Sequence, residues 1–326
     1  MASGAPRPLR EVVRPTTLID APRLGRQLGV RLTLASETFQ HTGSFKFRAA
    51  YNVAAQVRER EIITASSGNF GQAMAYACGL LGKACTVVMP HTSAQVKVDA
   101  VREYGGRVEL TDVRVKSREE RVQELAREHP QAYVASAFDD PLVIEGNASL
   151  GAELAACGLS FDAVIAPVGG GGLSSGIITG LRAAGKDTPV YAAEPLLAND
   201  AARSLRAGRI VRNESEPQTI ADGARTLSLG QCTWAVLREG LAGVVEVPEE
   251  KIAEAVRLLF SLANLKAEPT GALSLGALLT DPERFRDPST SLPSASLGTG
   301  RAGRHVCCVI SGGNVDPAVY AKLLSG

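Results

Sequence analysis

Residues 163–174, AVIAPVGGGGLS, place four consecutive glycines between an apolar segment and the start of a helical pattern. The apolar segment Ala163–Val168 has the composition and length of a buried strand. The helical pattern spans Ser174–Ala184, and another apolar strand, Pro189–Ala193, follows it. A strand, a helix and a second strand of these lengths predict a parallel β-α-β unit.

The same alternation recurs elsewhere in the chain. The predicted strands are Glu61–Ala65, Ala84–Met89, Arg107–Leu110 and Val306–Ile310, and the predicted helices are Gly71–Leu81, Ala94–Tyr104 and Arg118–His129. The pattern predicts an α/β fold in which parallel sheets are flanked by helices. We expect a small domain, residues 60–133, nested within a large domain, residues 1–59 and 134–326. A mobile surface loop, Arg284–Arg304, is expected before the last strand because it is rich in Ser, Gly, Pro and Arg.

The composition excludes several classes of protein. The 326-residue chain has a net charge of +1, which provides no long-range field to attract nucleic acid or an anionic membrane. No apolar run is long enough to span a bilayer, and the N-terminal residues lack the apolar core of a signal peptide. The scattered cysteines are typical of small buried residues, and the four separated histidines predict no zinc site. We therefore expect a soluble, cytoplasmic protein that binds neither nucleic acid nor a membrane.

The run of glycines at 169–172 favours a phosphate site, because backbone amides can close around the anion at the positive end of a helix. It is no P-loop, since no Lys-Ser/Thr pair follows it. A dinucleotide fingerprint fits poorly, because Ser174 or Ser175 stands where a third glycine or alanine is required. Glu194, at the end of the next strand, nevertheless leaves a nicotinamide nucleotide open, since an acidic residue there could hold a ribose.

A second loop, TGSFKFR at 42–48, places Lys46 between Phe45 and Phe47. Apolar surroundings favour the neutral amine, which a Schiff-base lysine must supply. The alternative is a surface lysine beside aromatic residues of the core.

Two further loops supply polar groups. The segment SSGNFGQ at 66–72 lies between a strand and a helix, where its hydroxyls, amide and exposed N–H groups suit a carboxylate; the alternative is an ordinary helix cap. The segment SGGN at 311–314 follows the last strand and offers a hydroxyl. An amine, a carboxylate site and a phosphate site are together what a pyridoxal-phosphate (PLP) enzyme acting on amino acids needs.

At this point the sequence resembles the fold-type II PLP enzymes, which have the two-domain architecture of the tryptophan synthase β subunit, and in particular serine racemase and the threonine/serine dehydratases. The resemblance extends over nearly the whole chain. The segments that carry it, besides the loops above, are RPTTL at 14–18, FDDP at 138–141, TIADG at 219–223 and EPTGA at 268–272.

The resemblance implies roles for particular residues. Lys46 would bind the cofactor covalently and act as the base at the substrate Cα, and Ser67 would be a second proton carrier on the opposite face, permitting racemisation. Ser67 is alternatively only a helix cap. The implied cofactor-binding residues are Phe45, Lys46, Asn69, Gly169, Gly170, Gly171, Gly172 and Ser311, and the implied substrate-binding residues are Ser66, Gly68 and Asn69.

Ser311 bears on the type of reaction. A hydroxyl beside the pyridine nitrogen stabilises a positive ring less than a carboxylate does, which favours prompt loss of a β-leaving group. The resemblance thus implies a PLP-dependent ammonia-lyase (dehydratase) that converts serine, threonine or a related 3-hydroxy amino acid to a 2-oxo acid, with serine racemase activity as an additional expectation. The alternatives are a β-replacement synthase of the cysteine synthase type and a non-enzymatic, inactive PLP-binding sensor.

The resemblance also implies a divalent-cation site and a homodimer. Glu194, the backbone carbonyl of Ala198 and Asp200 match the cation loop of the racemases, and such oxygen ligands suit Mg²⁺ or Ca²⁺. The chain departs from its relatives at Phe70, where histidine is usual, and at Asn147, where glutamine is usual. Arg118 aligns with a racemase arginine that can reach a distal acidic group, which makes hydroxyaspartate a candidate substrate; the alternative is a solvated helix residue.

Overall fold

A computed structural model describes residues 6–66, 68–93, 95–286 and 303–326 of the chain. The strands within these ranges are β1 Thr17–Asp20, β2 Arg31–Ser36, β3 Glu61–Ala65, β4 Ala84–Pro90, β5 Arg107–Thr111, β6 Tyr133–Ala135, β7 Ala163–Pro167, β8 Val190–Pro195, β9 Leu241–Val247 and β10 His305–Ile310. The helices are α1 Leu9–Val12, α2 Pro22–Leu28, α3 Lys46–Gln56, α4 Asn69–Leu81, α5 Gln95–Glu103, α6 Arg118–Glu128, α7 Pro141–Ala156, α8 Gly172–Ala183, α9 Asp200–Ala207, α10 Gln231–Gly240, α11 Glu249–Ala263, α12 Pro269–Thr280 and α13 Pro317–Ser325.

The strands form two sheets. The larger sheet has the order β1-β2-β10-β7-β8-β9, in which β1 is antiparallel to β2 and the other neighbours are parallel. The smaller sheet has the order β5-β4-β3-β6 and is parallel throughout. The predicted α/β class with parallel sheets flanked by helices is confirmed. The smaller sheet falls near the predicted small domain, although the boundary at residues 60 and 133 stays a prediction.

The central strand β10 shows why most residues of these segments are apolar. Its six residues are all buried, and successive side chains point to opposite faces of the sheet. Val306 and Cys308 join the core beneath α11 and α12, whereas Cys307 and Val309 join the core beneath α7 and α8. Because helices cover both faces, the strand is apolar except for His305 at its start, whose ring nitrogens contact the Thr33 hydroxyl at 2.8 Å and the Ser160 carbonyl at 2.9 Å.

The cysteines follow the prediction in part. All six are free, and Cys78, Cys85, Cys307 and Cys308 are buried, whereas Cys157 and Cys232 are only partly buried. Within the described parts of the chain, no helix has the length and apolar character needed to cross a membrane.

Two helices begin earlier than the sequence pattern predicts. Helix α4 begins at Asn69 rather than Gly71, and α8 begins at Gly172 rather than Ser174. Gly171 adopts φ 96°, a left-handed conformation that lets the chain turn from strand into helix inside the run of glycines. Strand β8 continues through Glu194 instead of ending before it. The predicted loop Arg284–Arg304 lies mostly in residues 287–302, outside the described ranges.

A buried charge network fixes α3 at the start of the site. The Arg48 side chain is fully buried and forms ion pairs with Glu37 at 2.8 Å and with Glu153 of α7 at 2.7 Å. It also donates to the hydroxyls of Thr16 and Ser149. Since Arg48 lies two residues after the start of α3, these bonds hold the first turn of that helix.

Candidate active site

Lys46 is the first residue of α3 and lies in a largely apolar environment. Its Nζ atom donates to the backbone carbonyl of Ala137 at 2.9 Å, and lies 5.0 Å from the ring centroid of Phe45 and 5.6 Å from that of Phe70. Burial lowers the pKa of Lys46 to about 8, and the negative charge of Glu268 opposes this shift. The amine is therefore easily deprotonated near neutral pH.

One of the two aromatic neighbours of Lys46 differs from the one that the sequence predicts. Phe47 packs on His41 and Tyr51, away from the amine, while Phe70 of α4 takes its place. Consecutive helical residues point in directions about 100° apart, so a sequence neighbour need not share a face. The apolar environment was predicted correctly, but one of its two aromatic rings, that of Phe70, comes from helix α4.

The run of glycines lies between β7 and α8 and is tightly packed. A Cβ atom on Gly170 would overlap the ring of Phe138, which directly follows Ala137. The hydroxyl of Thr233 donates to the Gly170 carbonyl at 2.7 Å and anchors the loop to α10. Helix α8 has no side-chain cap at its N-terminus, so its first backbone N–H groups are left for other partners.

Thr226 adds a hydroxyl at this loop that the sequence analysis missed. Its Oγ1 atom is buried without a hydrogen-bond partner and lies 3.6 Å from the position that a Cβ atom on Gly169 would take. A buried hydroxyl without a partner is costly, which points to a polar group that binds between it and the glycines. Thr226 lies three residues after the TIADG segment, and this proximity was the one feature of the sequence that could have indicated its place in the site.

Asn69 lies at the N-terminus of α4 in a chain of hydrogen bonds. Its Nδ2 atom donates to Glu268 Oε1 at 2.7 Å, and its Oδ1 atom accepts from Asn314 Nδ2 at 2.8 Å. Burial and the negative charge of Asp222 raise the pKa of Glu268 to about 8. Glu268 and Asn314 belong to the motifs at 268–272 and 311–314, but the sequence predicted no role for either residue.

Ser66 and Gly68 shape the turn that leads into α4. The Ser66 hydroxyl accepts from the N–H groups of Gly71 at 3.0 Å and Gly68 at 3.3 Å and so supports the first turn of α4, whose N-cap residue is Gly68. A Cβ atom on Gly68 would meet no atom within 4 Å, so the backbone at this point borders open space. Ser67 lies outside the described residues.

Ser311 follows β10 and joins the Lys46 loop directly. Its backbone carbonyl accepts from the N–H of Phe45 at 3.0 Å, and the adjacent Gly312 pairs with Ser44 in an isolated bridge. The structure thus brings Phe45, Lys46 and Ser311 together at the carboxyl end of β10. The Asn69–Glu268 pair lies at the same place. Gly312 follows Ser311 directly, and a Cβ atom on Gly312 would lie only 2.6 Å from Glu268 Oε1.

The acidic residues of the predicted cation loop are buried together. The oxygens of Glu194 accept from the N–H groups of Ala201 at 2.7 Å and Ala202 at 3.0 Å. Burial and the negative charge of Asp200 raise the pKa of Glu194, and burial raises that of Asp200 to about 6. Asp200 Oδ2 is buried without a hydrogen-bond partner. Among the described residues, no group of three or more His, Cys, Asp or Glu side chains could hold a metal ion.

The same contacts decide between the interpretations of Glu194. A ribose-binding carboxylate must be accessible to a ligand as large as a nucleotide, whereas Glu194 is fully buried and its two oxygens accept from backbone N–H groups. Glu194 is therefore not available to hold the ribose of a nicotinamide nucleotide, and that alternative has no other support in the sequence. Asn147, the departure on α7, donates to the Gly172 carbonyl at 3.1 Å and so supports the start of α8.

Comparisons with known proteins point to one family. The sequence model of the family described as "Pyridoxal-phosphate dependent enzyme" matches residues 9–292. An L-threo-3-hydroxyaspartate ammonia-lyase of a Pseudomonas species is 34% identical over 95% of this chain and 93% of its own. The serine racemase of Dictyostelium discoideum is 33% identical over 97% of this chain and 94% of its own. The crystal structure of a T.th. threonine deaminase superposes with a TM-score of 0.84 at 41% identity, covering 94% of this chain and 95% of that one.

Proposed function

Since the chain belongs to the family of pyridoxal-phosphate-dependent enzymes, we propose that it is an ammonia-lyase that converts a 3-hydroxy amino acid to a 2-oxo acid and ammonia. The observation that carries the proposal is the Lys46 amine, held between two aromatic rings in a chain that aligns over 95% of its length with an ammonia-lyase. The relatives are ammonia-lyases, racemases and deaminases. This favours elimination over β-replacement of the cysteine synthase type and over a non-catalytic sensor.

The residues present fit the cofactor. The uncapped start of α8, the glycines before it and the unpartnered hydroxyl of Thr226 suit a phosphate group. Phe45 would pack against the pyridine ring, the Asn69 amide would donate to the ring hydroxyl, and Ser311 would meet the ring nitrogen. Lys46 would supply the amine for covalent attachment.

The chemistry then follows from the chain's own groups. When bound, PLP withdraws electrons from the substrate Cα and makes its proton acidic. Lys46 Nζ accepts that proton, the hydroxyl leaves Cβ, and the departing group takes up a proton to become water. Hydrolysis of the resulting enamine consumes one water and gives the 2-oxo acid and ammonia. The neutral Ser311 hydroxyl favours this prompt loss over a long-lived negative charge at Cα.

The substrate carboxylate would bind where α4 begins. Gly68 borders open space, and the N–H groups of the first turn of α4 point away from the helix body. Ser66, Gly68 and Asn69 would contact the carboxylate there. Phe70 offers no polar group at this place, so the preference among 3-hydroxy amino acids depends on residues elsewhere in the site.

Release of 2-oxo acid from a panel of substrates tests the proposal. The panel consists of L- and D-serine, L- and D-threonine and the 3-hydroxyaspartates, each with and without Mg²⁺. We expect release from at least one member, and from 3-hydroxyaspartate in view of the Pseudomonas relative. The Lys46→Ala variant should lose both the visible absorption band of the cofactor and the activity. Holoenzyme that shows the band but releases no oxo acid from any member would refute the ammonia-lyase.

Racemisation is a second candidate activity. It is supported by the Dictyostelium serine racemase, and the resemblance assigns Ser67 as the proton carrier on the face opposite Lys46. Ser67→Ala is then expected to abolish formation of D-serine from L-serine while release of the 2-oxo acid from L-serine continues. Equal losses of both activities would instead indicate that Ser67 only shapes the turn.

A divalent cation is proposed at Glu194, the Ala198 carbonyl and Asp200. Two buried carboxyl groups repel each other unless a cation or protons neutralise them, and the free Oδ2 of Asp200 can act as a ligand. Mg²⁺ or Ca²⁺ should raise the melting temperature of the protein and leave that of Asp200→Asn unchanged. An equal rise in both proteins would refute this site.

A homodimer in the cytoplasm is also proposed, and sedimentation velocity checks the oligomeric state.

A further inference from the structure

Three side chains form a continuous chain of hydrogen bonds beside Lys46. Asn314 Nδ2 donates to the backbone carbonyl of Thr42 at 2.7 Å and to Asn69 Oδ1 at 2.8 Å. Asn69 Nδ2 in turn donates to Glu268 Oε1 at 2.7 Å. The chain therefore connects the turn before Lys46 with a buried carboxyl group on the opposite side of Asn69.

The direction of this chain is determined at the Thr42 end. A backbone carbonyl can only accept, so the Asn314 group facing Thr42 must be the –NH₂ end. The second N–H of the same group then requires an oxygen, which is Oδ1 of Asn69. As a result, the –NH₂ end of Asn69 faces Glu268.

Glu268 cannot determine this orientation alone. A carboxyl group accepts when ionised and can donate when protonated, and the pKa of Glu268 is raised to about 8. Near neutral pH, Glu268 would thus tolerate either end of the Asn69 amide. The group without this ambiguity is the Thr42 carbonyl, and it acts on Asn69 only through Asn314.

The backbone around Thr42 is shaped to receive Asn314. Thr42 and Gly43 both adopt left-handed conformations, with φ 58° and 72°, and for a β-branched threonine this is rare and strained. A Cβ atom on Gly43 would overlap Asn314 Oδ1, so glycine is required for the amide to pack here. The Gly43 carbonyl also accepts from the N–H of Gly313 at 3.0 Å.

We propose that Asn314 is a positioning residue that sets the orientation of the Asn69 amide, and thereby keeps one N–H of Asn69 available to the ring hydroxyl of the cofactor. One N–H of Asn69 is used on Glu268, and the –NH₂ group has a second one. In the opposite orientation the ring oxygen would face the Asn69 carbonyl, which can only accept. The inference rests on the proposed use of PLP and does not depend on which substrate is turned over.

The test replaces Asn314 by Asp, which keeps the shape and removes both donors. The new carboxylate would face two oxygens, so Asn69 is expected to turn its –NH₂ end toward it and away from Glu268 and the cofactor. An N–H donated to the ring oxygen favours its ionised form, which absorbs in the visible. We expect Asn314→Asp to shift the bound cofactor from the visible toward the near-ultraviolet band. The dissociation constant for PLP should rise about tenfold, as for the loss of one charge-assisted hydrogen bond.

Asn52→Asp is a matched control. Asn52 is also a buried amide that donates to a backbone carbonyl, Leu142 at 2.8 Å, and to a side-chain oxygen, Glu145 at 3.3 Å. It lies on α3 outside the chain of bonds described here. Its replacement should lower the melting temperature of the protein without changing the ratio of the two absorption bands.

Two outcomes decide the proposal, and a third separates it from the proposed function. A changed ratio of the two absorption bands in Asn314→Asp, with an unchanged ratio in Asn52→Asp, supports the proposal. If Asn314→Asp does not fold, Asn314→Ala replaces it; this variant frees Asn69 and should give an intermediate ratio. Folded Asn314→Asp or Asn314→Ala with the wild-type ratio and PLP affinity would overturn it. Wild-type protein that binds PLP but releases no oxo acid would refute the ammonia-lyase while this comparison still stands.

Discussion

The reactivity of Lys46 depends on two kinds of neighbour: one that is adjacent in the sequence and others that only the fold brings near. Its sequence neighbour Phe45 was a visible signal, whereas Phe70 and Glu268 reach the amine only through the fold. Phe70 helps to exclude water, and the charge of Glu268 limits how far the pKa of the amine falls. These opposing effects leave the amine basic enough to accept a proton and neutral enough to attack an aldehyde.

The rate at which apoprotein takes up PLP should therefore depend on pH. Only the neutral amine forms the covalent bond, and the pKa of Lys46 is lowered to about 8 by burial, against the charge of Glu268. We expect the rate to rise as pH increases from 6 to 9, with a midpoint about 2 units below that of an exposed lysine. Stopped-flow growth of the visible band measures it, with free lysine as reference. A midpoint near that of free lysine would contradict the lowered pKa.

At the scale of single elements, the sequence predicted six of the ten strands and four of the thirteen α-helices of the described residues, but not where two critical helices begin. Strands are apolar runs between polar turns, so their limits are visible in the sequence. Helices α4 and α8 begin two residues before their first apolar repeat, because Asn69 and Gly172 take helical conformations under constraints from the surrounding loops. That difference placed Asn69 in a loop when it is the first residue of a helix.

Helix α3 is held in place by the ion pairs of Arg48, which no local sequence pattern indicates. Replacement by Met would leave Glu37 buried without its partner, and loss of one member of such a pair typically costs about 3–5 kcal/mol. Urea unfolding of the apoprotein measures the change in the free energy of unfolding. The ion pair of the exposed Arg206 with Glu246 provides the control, since Arg206→Met should cost far less than Arg48→Met. Similar losses in both variants would argue against a structural role specific to Arg48.

At the scale of the whole molecule, the site combines residues far apart in the sequence. The motifs predicted that Lys46, Asn69, the glycines and Ser311 share one site, and the contacts of the described residues bring them together. Thr226, Glu268 and Asn314 were not assigned, because their importance comes from partners, and a single sequence does not specify which side chains meet. The bond between Asn69 and Glu268 also connects α4, which packs on the smaller sheet, with the N-terminus of α12 beneath the larger one.

That connection makes the stability of the apoprotein depend on pH. Glu268 is buried, and its pKa is raised to about 8 by burial and Asp222, against the effects of Lys97, Asn69 and the Asn314 backbone N–H. Because the folded state holds the proton more tightly, the contribution to stability is fully present below about pH 4 and is lost as pH rises toward 8. Glu268→Gln stays neutral at every pH and keeps an oxygen for Asn69. The difference in free energy of unfolding, wild type minus Glu268→Gln, should therefore fall between pH 5 and pH 8 in urea titrations. A difference that is constant or rises over this range would mean that Glu268 is ionised in the folded protein, with Lys97 or Lys46 as the compensating charge.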